Sequence, residues 1–349
     1  MDIARRDVEA AVIGGAILGG GGGGWIEEGT ALGRLAIEKG FSEILSIDDI
    51  PETATLLTVS AVGAPSAGAS LLRPEYYVRA VELFMEKSAI KVGGLISSEI
   101  GALGVVNGWL QSAALHIPAI DAPCNGRAHP LGLMGSMGLA QKSDYISSQT
   151  AVGGSLERGN RVESFFAGPL SEVSKEVRES AVRAGGMVAV ARNPVPCSYV
   201  KENGAPGAVR MALDLGQRFL EKTDIVSFLG GKLIGKGIVE KSELKMEAGL
   251  DIGKVDLRAG AGIYELTFWN EYMTLERAGK RIATFPDLIM TFDAQTSRPL
   301  TSAELKEGHE VSVIVVPAQK LILGAGVKDP GLLRIVEKTI GKSMGEFRS

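Results

Sequence analysis

The side chains able to do chemistry crowd into one stretch, Ile120 to Leu139, which reads IDAPCNGRAHPLGLMGSMGL. It holds a carboxylate (Asp121), a thiol (Cys124), an amide (Asn125), a guanidinium (Arg127) and an imidazole (His129), with His116 just upstream. The whole chain has only 3 histidines and 2 cysteines, so their gathering here carries weight. Asp121 and Glu99, each at the end of an expected strand, are a candidate base-and-orienter pair that activates water against a ring carbon. Arg127 offers a rigid fork of donors for a carboxylate or an imide oxygen. Cys124 with His129 suggests a thiolate nucleophile, because a neighbouring imidazolium lowers a thiol pKa. His116, Asp121, Cys124 and His129 are also the ligand types of a divalent metal such as zinc, although no C-x-x-C or H-E-x-x-H spacing accompanies them. Each group has a structural counterpart: Asp121 closing a turn, Glu99 paired with Arg127, Cys124 simply buried.

Two prolines and four glycines shape this stretch, so it is neither a regular helix nor a central strand. The elements around it must hold it in place. Thr55 to Val62 is almost continuously apolar, as a buried parallel strand is, and runs into the turn Gly63, Ala64, Pro65, Ser66. Ala89 to Ile96 is a further strand ending at Ser97-Ser98-Glu99, and Pro118 to Asp121 is a short one. Helices are expected at Pro74 to Lys87 and Gly104 to Leu115, which gives a βαβαβ order and a mostly parallel α/β sheet. In such a sheet the three strand ends converge on one rim, where ligands gather. Upstream, helices over residues 6 to 18 and 25 to 39 flank the glycines at 19 to 24. The backbone at Gly21 and Gly22 is a candidate cradle for an anion or carbonyl. The Gly63 to Ser66 turn, with Asn125 and Gly126, completes the expected substrate-binding set.

The second half changes character. A helix over Ser171 to Gly185, a strand over Met187 to Arg192 and a helix over Ala205 to Lys222 give way to short β-type segments from Gly231 onward. Turn residues separate them, as in a small antiparallel sheet or barrel. We therefore expect an α/β domain over residues 1–157 carrying the site. An α+β domain follows over 158–349, with a β-rich part at about 231–318.

The 349 residues are enough for a large core, and 45% hydrophobic with 22% charged residues is an ordinary globular balance. A net charge of −4 and scattered basic residues give no reason to expect nucleic acid or an anionic membrane as partner. Two cysteines make no disulfide framework, so a cytoplasmic location is expected. Asp2, Asp7 and Glu9 spoil the basic region around Arg5 and Arg6, and the apolar segment Ala10 to Leu18 runs into the glycines, unlike a signal peptide. A homo-oligomer acting on a small molecule is the expected form.

A set of short motifs extends this reading. Leu18 to Gly24, Gly63-Ala64-Pro65, Glu99-Ile100-Gly101, Ile120-Asp121-Ala122 and Gly126-Arg127-Ala128-x-Pro130 lie in order along the first half. Asn270-Glu271, Pro286-Asp287-Leu288-Ile289 and Gly308 to Ala318 follow in the second. Together they resemble the DUF917 family, named after S-methyl thiohydantoin desulfurase. Three places depart from its pattern: Pro123 stands where the family has a second aspartate, Ala67 to Ser70 where it has an acidic residue soon after the Gly-Ala-Pro turn, and Ala102 where it has glycine. The resemblance implies hydrolytic chemistry on a small cyclic amide, imide or thioimidate of hydantoin type. In that reading Asp121 activates water and Arg127 and His129 polarise the substrate. It also implies association with a hydantoinase- or oxoprolinase-like protein, and with it the alternative of a non-catalytic or partner-dependent subunit of such a complex.

Overall fold

A computed structural model of the chain describes residues 1–63, 72–247 and 250–345. The apolar run near residue 55 forms β1 (Thr55–Gly63), with Leu56 to Ser60 all buried. Before it lie α1 (Arg5–Gly19) and α2 (Ile26–Glu38); after it come α3 (Pro74–Ser88), β2 (Gly94–Ser97) and α4 (Trp109–Leu115). β2 returns parallel to β1, with Leu57 opposite Leu95. Parallel bridges Leu95–Ala119 and Leu45–Ile120 continue the arrangement outward. The residues after β1, after β2 and after Ile120 therefore leave on one side, as the βαβαβ order predicts.

The parallel character stops there. β3 (Ile146–Gly153), β4 (Val162–Pro169) and β5 (Met187–Pro196) complete a five-stranded sheet among the described residues, in the order β2-β1-β5-β3-β4. β5 runs antiparallel to β1, and β3 antiparallel to both β4 and β5. The sheet is thus mixed rather than mostly parallel, because a hairpin and a returning strand fill its other side. It also runs through the boundary expected near residue 157, which lies in the turn joining paired strands β3 and β4. α5 (Leu170–Arg183) covers this sheet with the buried stripe Leu170, Val173, Val177 and Ala181.

After α6 (Cys197–Asn203), α7 (Ala208–Leu220) and α8 (Ile225–Phe228), the antiparallel part follows as expected. It comprises β6 (Lys232–Glu247), β7 (Leu250–Ala259), β8 (Gly262–Trp269), β9 (Glu271–Arg277), β10 (Lys280–Thr284), β11 (Leu288–Asp293), β12 (Pro299–Leu300) and β13 (Glu310–Val316). Their order is β10-β9-β8-β7-β6-β13-β11-β12, and α9 (Pro330–Ile340) closes the described chain. α1 and α7 join the two halves at a contact only glycine permits. A Cβ on Gly14 would lie 1.7 Å from the Ala212 carbonyl, and one on Gly216 1.7 Å from that of Ala10. Among the described residues no helix is long and apolar enough to cross a membrane.

Candidate functional site

A cavity of about 760 Å³ opens where the strand ends of the first sheet meet α5 and the second sheet. Ser98 and Glu99 reach it from the end of β2, His129 from the central loop and Arg192 from β5. Glu271, the first residue of β9, comes from the antiparallel half. The chain reaches each position for a local reason. Opposite Arg192 the β1–β5 register slips between Leu56 and Thr58, and Asn193 takes a left-handed φ of 52°. Such a bulge re-aims a side chain, here into the site. Arg192 Nη2 then donates to Ser98 Oγ at 2.7 Å. His129 is fixed by its own N–H, which donates to Glu99 Oε2 at 3.2 Å, while its Nε2 lies 3.4 Å from the same oxygen.

The glycines after α1 serve this arrangement by close approach. A Cβ on Gly22 would lie 2.1 Å from Glu271 Oε1, and one on Gly20 2.5 Å from Arg127 Nη2. Gly23 and Gly24, rather than Gly21 and Gly22, line the cavity. The Gly20 and Gly21 carbonyls accept backbone bonds from Tyr272 and Ser302, which ties the first half to the second.

Burial dominates the electrostatics. The Glu99 side chain keeps 23% of its surface open, toward the cavity it lines. Desolvation pushes its pKa up to about 7, against the pull of the His129 N–H and the Arg192 and Arg127 guanidiniums. Glu271 is pushed well above the ordinary range by burial and then by the nearby Glu99 charge. Burial thus raises both carboxyls, Glu99 into the neutral range and Glu271 well above its ordinary value. Burial and the Arg192 charge depress His129 to about 3, so its imidazole is neutral. Several fully enclosed polar atoms have no hydrogen-bond partner: Arg192 Nε and Glu271 Oε2 at the cavity, and Arg127 Nε and Nη2 behind it. Buried polar groups are normally satisfied, so these orphans make the cavity the candidate site for a polar ligand.

The central loop divides into residues at the cavity and residues behind it. Asp121 accepts from the Val209 and Arg210 N–H groups at 2.7 and 3.2 Å, which places its carboxylate on the first turn of α7 rather than on the cavity lining. Cys124 is fully buried 3.2 Å from Thr58 Oγ1, and desolvation pushes its thiol up to about 11, so it is no thiolate at neutral pH. Asn125 bridges the Arg127 carbonyl and the Gly324 N–H, and Gly126 lies against the Ile322 carbonyl; both shape the loop from behind. Arg127 is fully buried, donates to the Pro286 and Asp287 carbonyls at 3.1 and 2.5 Å, and stacks on Phe285. Gly63 lines the cavity, whereas Ala64, Pro65 and Ser66 lie outside the described residues. The zinc-type set is not assembled. His116 is an exposed C-cap of α4, and among the described residues no group of three or more His, Cys, Asp or Glu side chains could hold a metal.

Two family models cover most of the sequence. The N-terminal domain of the S-Me-THD-like family matches residues 6–154, and its C-terminal domain residues 170–325. The chain belongs to the S-Me-THD-like family. A crystal structure of a protein from Chromobacterium violaceum, a structural-genomics target, is similar over 100% of this chain and 99% of its own, with a TM-score of 0.75 and 20% identity. That likeness shows the fold. Among curated proteins no match is found.

The candidate site includes groups that lie far from the central loop in sequence. Arg192 lies far from the central loop in sequence, and only the β1–β5 pairing brings it in. Glu271 carries a faint signal, since Asn270-Glu271 is one of the motifs behind the family resemblance.

Proposed function

We propose that this S-Me-THD-like protein hydrolyses a small cyclic amide, imide or thioimidate of hydantoin type, with Glu99 activating water and Glu271 donating the proton. The observation that carries this reading is a pair of carboxyls, both raised by burial, in one cavity with a guanidinium, Arg192, whose Nε has no partner. Two carboxyls whose environments push them to different protonation states divide into base and acid. Glu99 takes a proton from water as its oxygen bonds to the ring carbon. Charge that develops on the substrate heteroatom faces the free Nε of Arg192. Glu271 gives its proton to the departing nitrogen or sulfur as the carbon–heteroatom bond breaks. Water is added across that bond, and no further reactant is consumed. Neutral His129, with its N–H on Glu99, holds the base in place, and buried Arg127 steadies both carboxyls from behind. Asp121 thereby passes from the base expected in the sequence to an anchor for α7.

The test is turnover by the purified protein on a panel of hydantoins and S-alkyl thiohydantoins, followed by product or thiol release. Wild type turns over at least one ring, and Glu99→Gln and Glu271→Gln each lose at least about 100-fold, the usual scale of a general acid or base. Full activity in both variants would falsify the assignment.

A further inference from the structure

The turn that follows Glu99 brings an amide to the cavity that the proposed chemistry leaves unused. Asn107 and Gln111 stand four residues apart across the start of α4, so their side chains meet on one face. Both are buried, at 5% and 1% exposed. Buried amides need partners, and these two share a bond: Gln111 Nε2 donates to Asn107 Oδ1 at 2.8 Å. Gln111 Oε1 in turn accepts from the Gly108 N–H at 3.0 Å. Gly108, the N-cap of α4, has a φ of 105°, a region that glycine enters freely.

This chain of bonds has one direction. A backbone N–H can only donate, so the Gln111 atom that meets it is the oxygen, and the atom that meets Asn107 is the nitrogen. Asn107 must then give its oxygen to Gln111 and turn its own NH2 elsewhere. Among the described residues that Nδ2 has no protein partner, yet it is not one of the fully enclosed orphan atoms. Its open surface is therefore the cavity, which Asn107 lines. The backbone fixes the position as well. The Asn107 N–H donates to the Gly104 carbonyl at 3.1 Å, and a Cβ on Gly104 would lie 3.3 Å from Glu99 Cγ. Asn107 thus stands on the wall that carries Glu99.

We propose that Asn107 is a specificity residue that donates a hydrogen bond to a ring carbonyl oxygen of the substrate, and that Gln111 is the positioning residue that keeps the NH2 turned to it. This rests on the hydrolase reading for the reaction and adds which ring atom is recognised. The NH2 group only donates, so it suits a carbonyl oxygen and is left unpaired by a CH2 in the same place. The carbonyl in question is the one across a ring nitrogen from the carbon that water attacks. As the water oxygen bonds to an S-alkyl carbon, the C=N π pair moves to that nitrogen and is shared with the carbonyl oxygen, where a fixed N–H donor stabilises it. The pair returns as the carbon–sulfur bond breaks. The protons move through Glu99 and Glu271.

The experiment measures calorimetric binding of hydantoin and of imidazolidin-2-one, which has CH2 in place of that carbonyl, to wild type, Asn107→Asp, Asn107→Ala and Gln111→Met. Turnover is compared on the matching pair, an S-alkyl thiohydantoin and its 2-alkylthio-imidazoline counterpart. Wild type should favour the carbonyl ring at least about tenfold in Kd and in KM, since the other ring strands a buried donor. Both Asn107 variants should bring that ratio to within about twofold, and Gln111→Met should give a value in between. Because a ratio is read, partial loss of folding weakens both rings alike and does not imitate the result. Equal binding of the two rings by wild type, binding of neither, or a preference that survives both Asn107 variants would overturn the proposal. A full preference in Gln111→Met would overturn the role of Gln111. Turnover of the S-alkyl ring without an Asn107-dependent preference would defeat this inference and leave the hydrolase reading standing. Asn107-dependent binding with no turnover of either ring would uphold the inference and defeat that reading.

Discussion

Glu99 and His129 touch each other, yet burial moves them in opposite senses, and this has a consequence for stability. Glu99 titrates near 7 in the fold against an ordinary 4.5, so between these values the native state binds a proton that the unfolded chain does not. Its contribution is therefore present at low pH and is lost as pH rises through that window. His129, depressed to about 3, is neutral in the fold where the unfolded chain is charged, so its contribution falls as pH drops below about 6.5. Between about 4.5 and 6.5 the two slopes oppose each other. Replacing Glu99 by Gln removes one of them. The stability of Glu99→Gln relative to wild type should rise steadily from pH 4.5 to 7, as measured by denaturant unfolding; a difference independent of pH would contradict the raised carboxyl. At this scale the sequence groups Glu99, Arg127 and His129, because their neighbours share strand ends and one loop; the structure puts Glu99 and His129 at the cavity and Arg127 behind it. It also groups Asp121 with them, whereas the structure turns that carboxylate onto α7: a carboxylate on a turn looks the same in sequence whether it faces a ligand or the N–H groups of a distant helix. Val209 and Arg210, which hold it, are remote in the chain.

The elements that position these residues depend on backbone contacts through glycine. The run after α1 lies close to Arg127, Tyr272 and Glu271, so its glycines are needed for clearance more than for phosphate-like binding. α1 itself is held against α7 through Gly14 and Gly216, and α7 in turn carries the Asp121 anchor. Gly216→Val would drive its Cβ into the Ala10 carbonyl, with no flexible side chain to give way. It should cost at least about 1–3 kcal/mol, the scale of overpacking a close contact, and show as a lowered Tm. An unchanged Tm would show that the helices slide apart freely. Most elements are legible because their pattern is strong: α5, α7 and α9 carry clear apolar stripes, and β1 is buried from Leu56 to Ser60. β3 and β4 were missed for want of that signal. β4 is half-exposed along most of its length, and β3 hides Ser147, Gln149 and Thr150 in the interior through side-chain hydrogen bonds.

Across the whole molecule the site belongs to neither half alone. Glu99, His129 and Arg192 stand on the mixed sheet and its loops, whereas Glu271 opens a strand of the antiparallel sheet. The two carboxyls to which we assign the base and acid roles thus come from opposite halves. The family's two domain models meet between residues 154 and 170, inside the hairpin that the first sheet closes. Sequence reading separates the halves by composition, but it cannot see that one strand from the second completes the chemistry of the first. The most direct test of the central claim is the pH dependence of kcat/KM on a turned-over ring, for wild type, Glu99→Gln and Asp121→Asn. The account predicts an acidic limb near pH 7 in wild type and its retention in Asp121→Asn, with loss of both limb and rate in Glu99→Gln. An unchanged profile in Glu99→Gln together with an abolished one in Asp121→Asn would contradict it and return the base to the central loop.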